Sequence, residues 1–188
     1  MDAIVQHLMA HVIEQNTLRL EAVFDGERPV GSTCDMRTWY TTRVAEPTQR
    51  SQISHIVVDS GWEKYAANVA ETHPDVAAWA KNDHLGFHIL YLWNGTKRKY
   101  IPDFLVRFKS GKTLVLEIKG EDSPQDQAKR RAMDQWVQAV NAQGGLGHWA
   151  RDVVVGSMAA MQDVMAKHAS QAVMDDARHS ENLTSETA

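Results

Sequence analysis

The chain has 188 residues, 43% of them hydrophobic, and a formal net charge of −4. That length suits one domain with helical extensions, and the apolar share is enough to fill its core. No apolar run is long enough to span a bilayer, no basic segment precedes an apolar one at the N-terminus, and the single cysteine, Cys34, excludes an internal disulfide, so a reducing cytoplasm is the expected compartment.

Residues 2–24 are expected to be helical, because Ile4, Val5, Leu8, Met9, Val12 and Ile13 recur at the 3.6-residue period. This stripe suits packing on the domain or on a partner. His7 and His11 stand four apart, a spacing that can hold a metal, but no third ligand is evident nearby and a surface pair is the simpler reading. Between 25 and 52, Gly26, Pro29, Gly31 and Pro47 among Thr, Ser and Arg describe a long connector with short strands near Trp39 and Tyr40.

Ile53–Val58 reads as a short strand. A helix then begins at Asp59-Ser60, where Ser60 and Glu63 have capping-box spacing, with Glu63 reaching back to the Ser60 amide. Trp62, Tyr65, Ala66, Val69 and Ala70 form its expected buried face. His73-Pro74 ends it, Asp75–Trp79 reads as a short helical turn, and Lys81–Gly86 as a loop. Phe87–Trp93 reads as the first strand of the sheet, and Asn94-Gly95 as a type I′ turn that pairs it with the next strand.

Tyr100–Phe108 reads as one strand, 109–112 as a tight turn, and Thr113–Lys119 as the returning strand. Alternation puts Tyr100, Pro102, Phe104, Val106 and Phe108 on one face and Asp103 on the other. On the returning strand Leu114, Leu116 and Ile118 turn to the core, while Glu117 and Lys119 share the opposite face. A hairpin in register gathers Asp103, Glu117 and Lys119 on one side. Two carboxylates supply oxygen ligands for Mg²⁺ or Mn²⁺, and a neighbouring ammonium can hold or help deprotonate an attacking water and offset charge on a phosphate. The plainer alternative is a Glu and a Lys on the wet face of a strand. Gly111-Lys112-Thr113 has the look of a phosphate-binding loop's end, but position 106 is Val and a strand follows, so ATP binding is excluded.

Beyond Gly120, Ser123 is the expected N-cap and Pro124 the first residue of a helix over 124–142. Its buried face is Ala128, Ala132, Met133, Trp136, Val137 and Val140; Lys129 and Gln135 face either the site or solvent. Gly144-Gly145 ends it, and Trp149–Val155 reads as a buried last strand. Residues 157–177 form a Met-rich amphipathic helix with Met158, Met161, Met165 and Ala172 on one face, and the tail from Arg178 is expected to fray. The organisation expected is an N-terminal helix and connector (1–52), a central domain (53–156) and a C-terminal helix with a disordered tail (157–188).

Residues 87–131 hold ten Lys and Arg against five Asp and Glu, a local charge of +5, which leaves −9 for the rest. A positive field beside the carboxylates is what a phosphate substrate requires. Lys97, Arg98, Lys99 and Lys129 are the candidates for contact with DNA, against the alternative that each lies on an ordinary solvated face.

The wording Tyr-Ile-Pro-Asp-Phe-Leu-Val-Arg-Phe, then Leu-Val-Leu-Glu-Ile-Lys-Gly, resembles the signature of the PD-(D/E)XK nuclease superfamily, most nearly the C-terminal nuclease-like domain of type III restriction subunits and related helicases. The resemblance covers roughly residues 53 to 155, taking in Asp59–Glu63, Lys81–Phe87, Trp136, Asn141 and Gly147–Ala150. It implies an α/β fold with a restriction-endonuclease-like α-β-β-β-α-β core, a mixed sheet of about four strands flanked by helices. It implies Asp103, Glu117 and the Ile118 carbonyl as ligands of Mg²⁺ or Mn²⁺, Lys119 as the catalytic lysine and Glu63 as a helix-borne acid, although the spacing alone also suits Glu63 as a cap. The expected activity is metal-dependent hydrolysis of DNA in restriction or defence. The alternative is a non-catalytic module or fragment that docks on a separate helicase or restriction subunit. In relatives of the type III kind this region follows a helicase module; these 188 residues contain none, so the expectation is a stand-alone domain or a fragment, and cutting both strands would favour a homodimer.

Overall fold

A computed structural model describes residues 31–33, 36–120, 123–155 and 157–170. The expected helix over 2–24, with His7 and His11, lies outside the described residues, as do Cys34, Ala172 and the tail. Among the described residues the fold is α/β, a mixed four-stranded sheet with three helices and two small two-stranded sheets. In chain order the elements are β1 (Ala45–Pro47), β2 (His55–Val57), α1 (Gly61–Thr72), β3 (Val76–Lys81), β4 (Ile89–Trp93), β5 (Thr96–Tyr100), β6 (Phe104–Phe108), β7 (Thr113–Lys119), α2 (Pro124–Gln143), β8 (Trp149–Val155) and α3 over 158–170. The main sheet has the order β3-β6-β7-β8. β6 runs antiparallel to both β3 and β7, and β8 lies parallel to β7 after the crossover through α2.

The period-2 pattern of β6 and β7 assigns the two faces. Phe104, Val106, Phe108, Leu114 and Leu116 are buried under α1 and α3, together with Ala66, Ala70, Met161 and Met165. Val115 points the other way and packs with Ala132 and Met133 of α2 and with Ile89, Tyr91 and Tyr100 of β4 and β5. The methionine stripe of α3 thus covers the sheet, although Met158 at its start is exposed. Phe87, Trp136 and Trp149 stack edge to face along α2 (centroids 5.2 and 5.1 Å apart), and Asn141 exchanges two 2.8 Å bonds with the Trp149 backbone, which seats β8 against α2.

Several expectations need correction. The run Tyr100–Phe108 is two strands in two sheets: β5 pairs with β4, β6 pairs with β3 and β7, and the chain turns between them at 101–103. Pro102 has no N–H to give a ladder, which favours a break there. Consequently 89–93 belongs to a separate hairpin rather than to the main sheet, though its Asn94-Gly95 turn has the positive φ of type I′ at both positions (50° and 71°). The first strand of the sheet is β3, the segment read as a helical turn, which pairs Val76–Lys81 with Phe108–Phe104. No strand forms at Trp39-Tyr40; β1 lies a few residues on. In α1 the buried residues are Ala66, Ala67, Val69 and Ala70, whereas Trp62, in the first turn, is exposed. β8, at the sheet edge, is mostly half-buried.

Candidate metal centre

The site forms where the β6 and β7 ladder meets the turn at 101–103. Asn82, buried just past β3, fixes that turn: its amide N–H donates to the Asp103 carbonyl at 2.7 Å, and its side chain donates to the Pro102 and Phe87 carbonyls at 2.9 Å each. Asp103 therefore precedes β6 in a set position, and its Oδ2 accepts the Ile118 amide of β7 at 2.7 Å. Glu117, next along β7, is 6% exposed. Its Oε2 accepts the Tyr100 hydroxyl at 3.0 Å and its Oε1 accepts the Lys119 ammonium at 2.9 Å. Lys119 Nζ is also 2.9 Å from Oδ1 of Asp126 in the first turn of α2.

The charges are unevenly matched. Burial first, and then the charge of Glu117, push the Asp103 carboxyl up to about 7; the Ile118 amide and Lys119 pull the other way without offsetting them. Lys119 is the reverse case. Burial alone would lower it, but its bonds to Glu117 and Asp126 outweigh burial and hold it above its ordinary value. Asp126 is held below the usual carboxylate range: burial opposes this, but bonds from Ser123, Lys119 and Lys129 prevail. Burial and the Glu117 charge raise Tyr100 far above its normal value, so its hydroxyl keeps its proton and donates it to Glu117.

Of the residues singled out in the sequence, Glu117 and Lys119 pair with each other on β7, and Asp103, in the turn before β6, bonds the Ile118 amide that lies between them in the chain. Glu63 accepts from the Asp59 amide at 2.8 Å, one residue upstream of the expected Ser60, while Ser60 accepts from the Glu63 amide as N-cap. Glu63 also pairs with buried Lys81 at 3.0 Å, and its charge contributes to raising Asp103. It is thus both cap and neighbour of the site. Lys129 lies 5.7 Å above the Tyr100 ring and pairs with Asp126 at 3.1 Å, while Lys97, Arg98 and Lys99 lie exposed on β5. Sequence reading did not single out Asn82, Tyr100 or Asp126 for the site. Asp126 had a signal, since it is the third residue after the Ser123 cap and completes a capping box.

Among the described residues no group of three His, Cys, Asp or Glu converges to hold a metal ion. The donor set present is the two carboxylates, Asp103 and Glu117. It is too small for a closed Zn²⁺ or Ca²⁺ cage but fits Mg²⁺, which takes one or two carboxylates and completes its shell with water and phosphate oxygens. The upward push on Asp103 by burial and by Glu117 is the electrostatic signature of a pair that a cation would relieve. Comparison with protein-family models, with curated proteins and with solved structures gives no match. Among the described residues no helix is long and apolar enough to cross a membrane.

Proposed function

We propose that the chain is a metal-dependent DNA phosphodiesterase of the PD-(D/E)XK kind, an endonuclease of restriction or defence type. The observation that carries this reading is the meeting of Asp103 with the Glu117–Lys119 end of β7: Asp103 accepts the Ile118 amide, Glu117 pairs with Lys119, and burial and the Glu117 charge push the Asp103 carboxyl up to about 7. The element order α1-β3-β6-β7-α2-β8, with the β4-β5 hairpin inserted, supports this reading, because the resemblance implies an α-β-β-β-α-β core. Asp103, Glu117 and the Ile118 carbonyl would hold Mg²⁺ or Mn²⁺, which when bound polarises a phosphate and acidifies a water. The Lys119 ammonium, fixed between Glu117 and Asp126, orients the attacking water and offsets the negative charge that builds on the phosphate. Tyr100 steers one Glu117 oxygen, and Glu63 with Lys81 sets the charge behind Asp103.

The test is nicking of supercoiled circular DNA with Mg²⁺ or Mn²⁺. The wild type nicks, while Asp103→Ala and Lys119→Ala do not and keep their fold. Absence of nicking by the wild type with either ion would contradict the proposal. The second reading, a non-catalytic module that docks on a helicase or restriction subunit, draws on Glu117, both of whose oxygens already have protein partners. It requires that Asp103 and Glu117 confer no affinity for either ion.

A further inference from the structure

The β4-β5 hairpin has two unlike faces. Cross-strand pairing sets Leu90 opposite Lys99 and Leu92 opposite Lys97. The alternate residues Ile89, Tyr91 and Tyr100 turn inward to α2. Leu90 and Leu92 are 48% and 47% exposed, and Ile101, just past β5, is 58% exposed. The outward face is therefore two rows, leucines on β4 and lysines on β5. The register separates Arg98, opposite Tyr91, from the two lysines, which the sequence ran together. No Asp or Glu occurs between Phe87 and Ile101, and neither Lys97 nor Lys99 forms an ion pair among the described residues.

We propose that this outer face of the β4-β5 ribbon is a docking surface for duplex DNA, with Lys97 and Lys99 along one phosphate strand and Leu90 and Leu92 against the groove. The inference rests on the DNA reading of the site above. Charge complementarity selects a polyanion: two unneutralised ammonium groups two residues apart on one strand lie about 6.8 Å from each other, matching the axial rise of two nucleotides on one DNA strand. A duplex is favoured over a single strand because the outward residues are aliphatic and cationic and offer no ring for a base to stack on. A two-stranded ribbon also has the width that a major groove admits. The ribbon leads to the chemistry, because β5 ends at Tyr100, whose hydroxyl donates to Glu117, so Lys97 stands about 10 Å along the strand from that residue.

The experiment is binding of the full chain to a fluorescent 30-base-pair duplex in EDTA, so that no cleavage intervenes, across a series of salt concentrations. Lys97→Ala with Lys99→Ala should flatten the plot of log K against log salt by about 2, close to one counterion per lost phosphate contact. Leu90→Ala with Leu92→Ala should weaken binding about tenfold at every salt without altering the slope. All four side chains are exposed, and thermal melts that match the wild type confirm that the fold is kept. A wild-type slope and affinity in the double-lysine variant would overturn the inference, as would tighter binding of single-stranded competitor than of duplex. It would also fall if the leucine variant turned a dimer into a monomer with duplex affinity unchanged, for a second copy would then cover this face. If the wild type never nicks DNA but the slope change appears, the hydrolase reading fails and the ribbon stands. If nicking is metal-dependent and the slope does not change, the ribbon fails alone.

Discussion

Asp103→Asn should make the metal-free protein more stable at pH 8. The amide keeps an oxygen for the Ile118 N–H, which the carboxylate now accepts at 2.7 Å, but carries no charge into a buried position beside Glu117. A carboxyl moved from 3.8 to about 7 holds its proton in the folded chain between those values while the unfolded chain has released it. Folding therefore binds a proton across that window, and stability falls as pH rises from about 4 to 7. The shift sets a ceiling of about 4 kcal/mol on the cost of ionisation, and protein relaxation and water penetration reduce it to about 1–2 kcal/mol. The assay is urea unfolding of wild type and variant at pH 4 and pH 8 in EDTA, with the gain present at pH 8 and absent at pH 4. With Mg²⁺ or Mn²⁺ at a hundred times its Kd, the wild type gains about 2.7 kcal/mol that the variant does not, and the order inverts. A variant less stable than wild type at pH 8 in EDTA, or a difference unchanged between the two pH values, would refute the reasoning.

Lys119→Ala should lower nicking at least 100-fold while ion affinity persists, as separate cleavage and titration experiments would reveal. Tyr100→Phe removes the hydroxyl from Glu117 and should cost about 1 kcal/mol in urea unfolding, because a buried carboxylate oxygen loses its donor. Trp79→Ala, at a site 2% exposed where the indole N–H also bonds Glu71 at 2.8 Å, should cost about 3–5 kcal/mol by the same method. Ser60→Ala removes the acceptor for the Glu63 amide at the start of α1 and should cost about 1 kcal/mol, read as a lower melting temperature.

What could be read from the sequence follows from how strongly each segment constrains itself. β6 and β7 alternate large apolar residues with others, so their faces, and with them the pairing of Glu117 with Lys119 two residues on, were legible. The change of sheet at 101–103 was not, because Tyr100, Pro102 and Phe104 continue the same alternation through a turn that Asn82 fixes from a distance. β3 was misread because Val-Ala-Ala-Trp-Ala has little period of its own, and its strand form comes from pairing with β6. Trp62 showed the right spacing for burial, but its place in the first turn of α1 leaves it exposed. The role of Asp126 depends on where α2 starts relative to Lys119, a tertiary relation that a cap pattern does not contain.

The most direct test of the shared-ion site is a titration of the full chain with Mn²⁺ followed by paramagnetic resonance of the free ion. The account predicts saturable binding to the wild type that Asp103→Ala and Glu117→Ala each abolish and Lys119→Ala retains. Binding of equal strength in all four proteins, or none in the wild type at millimolar Mn²⁺, would contradict it.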